Sequence, residues 1–533
     1  MGALTLKSFP FELRGWDIEK FESLDPTDSF GSNTKVYVSK DQIVLIEPDY
    51  NTNTLNTWLT DKGRQFFDGL FGAWNPNLKN DNKLKPGFWT NILKNILETI
   101  YILDHCNKQN FKKKFLTIVV ENVSIEIINI LLILSQNYSF IQLRREENFK
   151  VSNDLEKNFQ LNIASNKIKL NSSTLCLLIS TNPRYEGYYL NLNLRQRFLK
   201  GNFKCLSIGS FIDLTFPVTF LGSTTGILKS IAEGNNLICQ DLKSSKNPIT
   251  VFNNELFKRN DHLATKQMLE NLNFYTNGTK FNGLNNLSPS LSETGLNITN
   301  NFLPLTLKDL NSFSLLYFIN TTSNNSANIK KITELNLLNY NYMSKVKPVN
   351  NLILDQNYKL NNNYQLTNGL NFSNYLHLPT SVFYENEETF INTEGFIKRT
   401  TKLISKKHTR NNWQIIRKIL KHLKKKFVSL ELKNNNLIFF NSNKIVNFKN
   451  YINFNYYATQ NLVNLNFYLS IKTTPTVFTN QSSFKPASNK FKKSKLKYWL
   501  DDFFTGSKDE YSQNSLVLTN CSKILRSETT NFF

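Results

Sequence analysis

The sequence predicts an α/β protein that begins with a small β-rich module and continues as doubly wound parallel-sheet lobes. Two patterns lead to this prediction. Residues 34–39 and 42–46 alternate apolar and polar side chains on either side of a Lys-Asp turn, which is typical of antiparallel strands. Further along, short continuous apolar runs alternate with helical patterns. Such runs are typical of parallel strands that helices cover on both faces.

The apolar runs place the strands and helices of the lobes in order. A short helical connector is expected over 58–69, and a 3,1,3,1,3 spacing of apolar residues predicts a helix over 88–103. The remaining predictions are strands at 114–120, 139–143, 175–179, 203–208, 249–252, 315–319 and 352–354, with helices at 124–137 and 186–200. Residues 358–374 are an Asn-rich insertion.

Changes in composition divide the chain into four predicted segments. Residues 1–70 form the small β-rich module, and residues 71–264 form the first α/β lobe. Residues 265–400 form a second α/β lobe with Asn-rich insertions, because long polar tracts interrupt its apolar runs. Residues 401–533 combine a basic amphipathic helix with an extended carboxyl-terminal arm.

The net charge of +23 comes from 64 Lys and Arg residues against 41 Asp and Glu residues. An excess of this size favours nucleic acid, anionic lipid or acidic protein partners. Lysines also occupy the polar side of the predicted helix at 406–427, so this helix could lie on a membrane or on RNA. We prefer the simpler interpretation, in which the helix is docked and its lysines are solvated.

Neither a secretory signal nor a membrane span is predicted. The first residues lack a basic stretch followed by an apolar core. The longest apolar run, at 125–134, is about half as long as the roughly twenty residues that a transmembrane helix needs. A soluble or peripheral protein is therefore expected.

No catalytic or metal-binding constellation is predicted. The five cysteines contain no CxxC pair and the five histidines contain no HExxH motif, so the spacings typical of zinc or cluster ligands are missing. Cys176 and Cys205 lie in predicted strands, and we interpret them as small buried hydrophobic residues. Catalytic, cofactor-binding and metal-binding residues are all expected to be absent.

Two further features could form a phosphate-binding or catalytic site, and both have a simpler structural interpretation. The loop at 220–228 follows a strand and precedes a helix, but it lacks the Walker A and GxGxxG patterns and is interpreted as a structural turn. Glu385, Glu387 and Glu388 are close enough for acid–base work. We interpret them as solvated carboxylates in a surface loop, because paired carboxylates act as acid and base only where burial separates their pKa values.

Short motifs of charged, aromatic and turn residues occur in a collinear order from about residue 9 to about residue 525. Their defining residues are Arg14, Trp16, Glu22, Ser23, Asp28, Gly31, Asn33, Trp58, Asp61, Lys62, Arg64, Asn182, Pro183, Arg184, Asn392, Glu394 and Gly395. Together they resemble the molybdopterin-oxidoreductase-like region of one family, the large iron–sulfur subunit of respiratory complex I (NADH:ubiquinone oxidoreductase). The resemblance implies Rossmann-like lobes of the molybdopterin-oxidoreductase type, in which these residues have structural or docking roles.

The family's subunit begins with a cysteine-rich part that carries iron–sulfur clusters, whereas the motifs of this chain resemble the region after that part. The resemblance therefore implies a separately encoded carboxyl-terminal fragment with no cofactor of its own. Iron–sulfur clusters are expected in a partner chain, the cluster-bearing amino-terminal counterpart, which would dock on residues 9–70. Other peripheral-arm subunits of complex I are expected partners, and nucleic acid is not.

By the same resemblance, the chain is expected to be a structural subunit of the peripheral arm of complex I. It would scaffold the cluster-bearing chain during electron transfer from NADH to ubiquinone, which the whole complex couples to proton translocation. The implied location is the matrix side of the mitochondrial inner membrane. The lack of a presequence fits mitochondrial encoding.

Two alternatives from other functional classes stay open at this point. An active molybdopterin oxidoreductase would share the fold but would need a metal ligand, and stoichiometric molybdenum or tungsten would identify it. A mitochondrial RNA-binding protein would use the basic charge and the helix at 406–427. Affinity for RNA that survives about 200 mM salt would support it, because binding driven by phosphates alone should fall over this range by on the order of a thousandfold.

Overall fold

The structure of the chain is a computed structural model that describes it in segments. The described residues are Phe9, 13–49, 58–72, Ile96, 115–145, 167–209, 211–253, Leu256, Phe257, Arg259, 261–276, 284–288, 290–299, 302–305, 313–320, 352–357, 375–404, 410–431, Phe491, Leu496 and 510–530. They belong to two units, Met1–Ile416 with Ala487–Phe533, and Arg417–Pro486. The contacts that build the candidate site all lie in the first unit.

Strands and helices are numbered in chain order. The strands are β1 (Glu19–Leu24), β2 (Asn33–Ser39), β3 (Gln42–Pro48), β4 (Phe115–Val120), β5 (Ile141–Arg145), β6 (Leu175–Ile179), β7 (Lys204–Ile208), β8 (Thr219–Gly222), β9 (Ile249–Asn253), β10 (Leu284–Leu287), β11 (Leu303–Pro304), β12 (Phe313–Ile319), β13 (Leu352–Asn357), β14 (Tyr375–Pro379), β15 (Thr389–Ile391) and β16 (Ile397–Arg399). The helices are α1 (Asp61–Gln65), α2 (Phe67–Gly72), α3 (Ile125–Asn137), α4 (Lys167–Ser172), α5 (Pro183–Glu186), α6 (Tyr188–Leu199), α7 (Thr225–Ala232), α8 (Ile238–Ser244), α9 (His262–Thr276), α10 (Glu293–Thr299), α11 (Asn412–Glu431), α12 (Glu510–Asn514) and α13 (Leu516–Thr530).

Strands β1, β2 and β3 form an antiparallel sheet in that order, which confirms the β-rich module at the amino end. β2 and β3 coincide with the two predicted strands. β1 does not show the apolar alternation that marks a strand, because Glu19, Lys20 and Glu22 are three of its six residues. These side chains are exposed, and an edge strand tolerates charge because one of its sides faces solvent.

Residues 175–287 contain the strands of one parallel sheet, whose order is β10-β9-β6-β7-β8. Its central strand β6 is buried on both faces. Leu175, Leu177 and Ile179 pack into one hydrophobic core, while Cys176 and Leu178 pack into the core on the opposite face. The arrangement confirms the predicted doubly wound parallel sheet and the interpretation of Cys176 as a buried hydrophobic residue.

A second parallel sheet has the order β11-β5-β4-β12-β13-β14 and combines strands from 115–145 with strands from 303–379. The two sheets therefore do not follow the predicted segment boundary at residue 264. Strands β4 and β5 pair with strands after residue 302, and the first sheet is inserted between β5 and β11. Local sequence patterns cannot show this, because the pairing joins distant parts of the chain. The four predicted segments stay a prediction as regards separate domains.

The amino-terminal sheet shares its hydrophobic core with distant segments. Its buried face packs in one cluster with α1 and α2, with residues that follow β14, and with α13. The cluster contains Val36, Val38, Ile43, Ile46, Leu59, Phe66, Leu70, Leu291, Val382, Phe383, Tyr384, Phe390, Ile404 and Leu518. Phe66 and Tyr384 are almost fully buried, and their ring centroids lie 5.8 Å apart. The module is therefore fastened to the carboxyl-terminal half of the chain.

Most other predicted elements differ from the structure only at their ends, which is the usual uncertainty of helix boundaries. The helix predicted at 186–200 is split, because the path breaks at Gly187 between α5 and α6. The basic helix predicted at 406–427 is α11. The helix predicted at 88–103, except Ile96, and the insertion at 358–374 lie outside the described residues. No helix in the described segments combines the length and the apolarity that crossing a membrane requires.

Helices α12 and α13 dock on α2 through a glycine. A Cβ atom at Gly69 would lie 1.9 Å from the carbonyl oxygen of Tyr511 on α12, so no side chain fits there. Asp68 Oδ2 accepts a hydrogen bond at 3.2 Å from Val517 N in the first turn of α13. A carboxylate is favourable at this position, because the first amide groups of a helix carry partial positive charge.

We expect Gly69→Ala to lower the free energy of unfolding by about 1–3 kcal/mol, the usual cost of overpacking an interior. The added methyl group would meet backbone atoms of α12, which cannot move aside as a side chain can. Urea unfolding followed by circular dichroism measures the change. Gly15→Ala is the matched control, since its Cβ would have no atom within 4 Å. Equal stability of the two variants would show that this docking contact does not form.

Candidate functional site

Three separate segments meet at a buried polar contact. They are the loop 25–33 between β1 and β2, residues 182–189 around the start of α5 and α6, and residues 392–398 at the turn into β16. We call this contact the polar junction. Its buried polar side chains are Asp25, Asp28, Ser29, Ser32, Asn182, Asn392, Thr393 and Glu394. Burying a polar group is costly unless it is hydrogen-bonded, so the partners of these side chains define the site.

The loop of the polar junction is shaped by its own carboxyl groups. Asp25 Oδ1 accepts hydrogen bonds from Thr27 N at 2.8 Å and from Thr27 Oγ1 at 2.7 Å. Asp28 Oδ1 accepts one from Phe30 N at 3.2 Å. Asp is favoured in such loops because its side chain can bond the backbone two residues further on. The two aspartates therefore stabilise the conformation of the loop through local hydrogen bonds.

A row of hydroxyl groups joins the loop to helix α6. Ser32 Oγ lies within hydrogen-bond distance of two oxygen atoms, Asp28 Oδ2 at 2.7 Å and the hydroxyl oxygen of Tyr188 at 2.6 Å. The Tyr188 hydroxyl also lies 2.5 Å from the backbone carbonyl oxygen of Trp58, to which it donates. The row thus links the loop, α6 and the segment that precedes α1.

The turn after β15 closes over the same loop. Asn392 Nδ2 donates to the carbonyl oxygen of Phe30 at 3.1 Å. The backbone N and the Oγ1 of Thr393 both donate to the carbonyl oxygen of Ser29, each at 3.1 Å. Gly395 completes the turn with a φ of +85°, which is favourable only for glycine. The two segments are joined mainly through backbone carbonyl groups, which fixes their relative register.

Glycine is also required inside the loop. Gly31 has a φ of +56°, and a Cβ atom there would lie 2.8 Å from Leu291 Cδ1. Lys398 Nζ donates to the Gly31 carbonyl oxygen at 2.6 Å and to Asn33 Oδ1 at 3.2 Å. A larger residue would therefore strain the backbone and crowd the Leu291 side chain.

Burial shifts the pKa values of four groups at the junction. Burial and the neighbouring charge of Asp28 raise the pKa of Asp25 to about 7. Burial also raises the pKa of Asp28 and the pKa of the Tyr188 phenol. It lowers the pKa of Lys398, although the carboxylates of Glu394 and Asp28 act against this. All four shifts favour the uncharged form, because the site is poorly solvated.

Beside the loop lies the crevice where the strand order of the first sheet reverses, between β6 and β9. In doubly wound sheets, ligands commonly bind at such a crevice. Here Glu186 fills it: Oε2 accepts from Asn182 N at 3.0 Å, and Oε1 accepts from Asn253 Nδ2 at 2.6 Å. Phe30 lies beside Gly187, where a Cβ atom would be 2.9 Å from Phe30 Cε2, and packs into the core that contains Leu178 of β6 and Val251 of β9. The crevice is occupied by the chain's own carboxylate.

The junction brings together some of the predicted motif residues and leaves others apart. Those at the junction are Asp28, Gly31, Asn33, Asn182, Asn392, Glu394 and Gly395, together with the carbonyl group of Trp58. Of the rest, Ser23, Lys62 and Pro183 are buried, Arg64 is half-buried, and Arg14, Trp16, Glu22 and Asp61 are exposed. Arg184 forms an ion pair with Asp213 at 2.9 Å near the surface.

Three residues at the junction carry no signal in the sequence. Tyr188, Glu186 and Lys398 are common residue types in ordinary surroundings, and only the folded chain brings them to the loop. Ser32 could have been found, because it lies inside the Gly-Ser-Asn turn that opens β2. The sequence thus indicates the loop itself better than it indicates the partners of the loop.

The interpretation of the acidic cluster at 385–388 as solvated charge is wrong for two of its three members. Glu385 and Glu388 are 3% and 4% exposed, whereas Glu387 is exposed and pairs with Arg399. The antiparallel pair β15–β16 folds back over this segment, which local sequence does not show. Burial and the nearby Glu126 raise the pKa of Glu388 to about 8.

Most of the two-sheet region matches one family of known proteins. Residues 74–422, more than half of the chain, match the model of the family described as molybdopterin oxidoreductase. The chain belongs to this family. The mixed α/β architecture with its two parallel sheets agrees with that membership and with the predicted fold class.

Three curated relatives are NADH oxidoreductase subunits. The NADH-ubiquinone oxidoreductase 75 kDa subunit of Reclinomonas americana is 28% identical and covers 80% of this chain and 60% of its own length. The mitochondrial 78 kDa subunit of Candida albicans is 23% identical, over 80% of this chain and 55% of its own length. An NADH-quinone oxidoreductase subunit of Rickettsia felis is 28% identical, over 51% of this chain and 40% of its own length. The chain therefore spans less than two thirds of each relative.

The family implies a molybdopterin cofactor, and the residues at the crevice do not fit one. The donors that would hold a phosphate group, Asn182 N and the Asn253 amide, already bind Glu186, whose charge would repel an anion. Within the described segments, no three His, Cys, Asp or Glu side chains are grouped to hold a metal ion. Cys176 and Cys205 are neighbours on β6 and β7, but both are enclosed in a hydrophobic core.

We expect Asn392→Ala to lower the free energy of unfolding by about 2 kcal/mol or more, because each buried polar group left unpaired costs about 1–3 kcal/mol. The truncation removes the donor to the Phe30 carbonyl and the acceptor of Phe396 N. Chemical denaturation measures the loss. Asn235→Ala, at an exposed turn, is the control and should be nearly neutral. A neutral Asn392 variant would contradict the proposed closure of the junction.

Glu388 should make stability depend on pH. Its pKa is about 8 in the folded chain against 4.5 for an ordinary Glu, so the folded state keeps a proton that the unfolded state has lost. Stability should therefore fall as pH rises from about 4.5 to about 8, by on the order of 1 kcal/mol per pH unit. Glu388→Gln should remove this contribution from denaturation curves recorded across the range, while the contribution of Asp25, whose pKa is raised to about 7, should remain. Glu387→Gln, on the exposed neighbour, should leave the fall unchanged.

Proposed function

We propose that the chain is a structural subunit of the peripheral arm of respiratory complex I. In this role it holds a cluster-bearing polypeptide in position while the complex transfers electrons from NADH to ubiquinone. The observation that carries the proposal is the similarity to complex I subunits over 80% of the chain. The collinear motifs in the sequence support the same assignment.

The composition of the site favours scaffolding over catalysis by this chain. The polar junction uses its buried groups for hydrogen bonds between its own segments, and Glu186 occupies the crevice where a phosphate-bearing cofactor would bind. The described cysteines are enclosed in cores or isolated. We therefore propose that the iron–sulfur clusters belong to the cluster-bearing polypeptide and that the oxidoreductase activity belongs to the assembled complex.

The docking surface for that polypeptide is proposed on residues 9–70. Trp16 is 82% exposed, and the guanidinium of Arg14 lies 5.9 Å from the centroid of its ring. Trp58 is 65% exposed. Tryptophan and arginine are enriched among the residues that carry most of the energy of protein interfaces. Large exposed aromatic side chains of this kind are costly in water, so a covering partner would stabilise them.

A cavity next to the module sheet supports the same surface. It has a volume of about 280 Å³ and is lined by Leu13, Ser39, Lys40, Gln42, Ile43, Val44 and Phe67. Its lining combines the apolar side chains of Leu13, Ile43, Val44 and Phe67 with the polar side chains of Ser39, Lys40 and Gln42. Protein interfaces likewise combine apolar and polar groups. The cavity lies at the hairpin end of β2 and β3, and its lining residues Ile43 and Phe67 also contact the shared core.

The proposed location is the matrix side of the mitochondrial inner membrane, peripheral to it. Complex I relatives from a mitochondrial and a bacterial source support a place in a respiratory complex. The other subunits of the peripheral arm are the remaining proposed partners.

Isolation of the native complex tests the proposal. The chain should co-migrate with cluster-containing subunits in native electrophoresis, and cross-linking should join residues 9–70 to one of them. Replacing both Trp16 and Trp58 with Ala should weaken this association by at least about thirtyfold, which is the effect of losing a single hot-spot residue that contributes about 2 kcal/mol.

Phe211→Ala serves as the control, because Phe211 is 79% exposed but lies outside the module. Absence of the chain from the complex would contradict the proposed function. Co-migration without cross-links to residues 9–70 would contradict only the docking surface. One preparation therefore distinguishes failure of the proposed function from failure of the proposed docking surface.

A further inference from the structure

Four oxygen atoms of the polar junction stand in a row. They are Asp28 Oδ2, Ser32 Oγ, the Tyr188 hydroxyl oxygen and the Trp58 carbonyl oxygen, and the successive distances are 2.7, 2.6 and 2.5 Å. Each distance is that of an O–H···O hydrogen bond, and oxygen atoms this close repel each other unless a hydrogen lies between them. The row therefore needs three hydrogens.

The side chains of the row provide two hydrogens when Asp28 is ionised. Ser32 and Tyr188 each carry one hydroxyl hydrogen, and a backbone carbonyl carries none. The third hydrogen has to come from the carboxyl group at the start of the row. We propose that Asp28 is a carboxylic acid in the folded protein, and that its proton completes a latch that runs through Ser32 and Tyr188 to Trp58.

The surroundings of Asp28 favour the protonated form. Asp28 is 6% exposed and Ser32 is fully buried, so an ionised carboxylate would be poorly solvated. The titratable groups that face it are Asp25 on the same loop, Lys62 on α1, Tyr188 on α6, Glu394 in the turn before β16 and Lys398 on β16. The two lysines favour ionisation, yet the described hydrogen bonds of Lys398 go to Gly31 and Asn33.

Loss of the Asp28 proton would leave one of the two hydrogen bonds of the Tyr188 hydroxyl group without a hydrogen. Ser32 would then donate its only hydrogen to the carboxylate, and the Tyr188 hydroxyl could serve either Ser32 or Trp58 but not both. The contact between α6 and the segment before α1 would weaken. Because Trp58 belongs to the proposed docking surface, the effect on partner binding rests on the proposed function. The latch itself does not.

Hydrogen exchange of the full-length chain, measured by mass spectrometry from pH 5 to pH 9, tests the latch. All variants carry Asp25→Asn, because Asp25 titrates nearby with a pKa of about 7. In this background, protection of peptides covering 25–33 and 58–64 should fall with rising pH by up to about tenfold per pH unit while Asp28 loses its proton. Adding Asp28→Asn should abolish the fall, since the amide supplies a hydrogen to Ser32 at every pH.

Tyr188→Phe separates the latch from simple burial of a carboxyl group. Without the Tyr188 hydroxyl the row ends at Ser32, whose single hydrogen satisfies an ionised Asp28, so the pH dependence should shrink to less than about twofold over the same range. A full pH dependence in the Tyr188→Phe chain, or an unchanged one in the Asp28→Asn chain, would overturn the proposal.

Infrared spectroscopy gives a second readout that does not depend on exchange. The wild-type chain at neutral pH should show a band from protonated carboxyl groups, and Asp28→Asn should remove one component of it. An unchanged band would overturn the proposal even if Asp25→Asn prevented folding. Failure of Trp58 to bind a partner would leave both readouts intact, because both use the isolated chain.

Discussion

The amino-terminal sheet depends on a hydrophobic core that it shares with the carboxyl-terminal half of the chain. Three short strands with one apolar face are marginal by themselves, because they bury too little surface to offset the entropy of ordering the chain. Val36 and Ile46 are fully buried in a cluster that also contains Tyr384 and Leu518 from the other half of the chain. The exposed tryptophans of the module therefore owe their positions to residues far away in the sequence.

The shared core stabilises the packing of the amino-terminal sheet against the rest of the chain, and the hydrogen bonds of the polar junction determine the position of that sheet. Apolar contacts are non-directional, so the cluster alone would tolerate small shifts of the module. Hydrogen bonds from Asn392 and Thr393 to carbonyl groups of the loop allow only one register. Burying Asp25 and Asp28 has an energetic cost, and such groups can favour one arrangement over competing ones. The geometry of the proposed docking surface follows from both the apolar contacts and the hydrogen bonds.

Local patterns predict the elements of this fold better than their assembly. The apolar run of β6 and the alternation of β2 are visible in the sequence because burial acts on each strand separately. The charged residues of β1 hide that strand. The pairing of β4 and β5 with β12 cannot be predicted, since it depends on contacts between distant segments. At the site, the motif residues Asp28 and Gly31 belong to a loop that folds on itself. The sequence does not indicate Tyr188, and it wrongly indicates that Glu388 is solvated. In both cases the surroundings of the side chain depend on tertiary packing.

The insertion of one sheet into the other has a consequence for biosynthesis. The strands β6 to β10 follow one another closely, so their sheet can form as soon as residue 287 has left the ribosome. Strands β4 and β5 emerge earlier but find β12 only after that sheet has been made. β4 and β5 can pair with each other, but until β11 and β12 are made the outer edge of each strand is unpaired, and unpaired apolar edges attract other chains. The order of synthesis thus opposes the order of pairing, and nascent chains should need protection by chaperones during this interval.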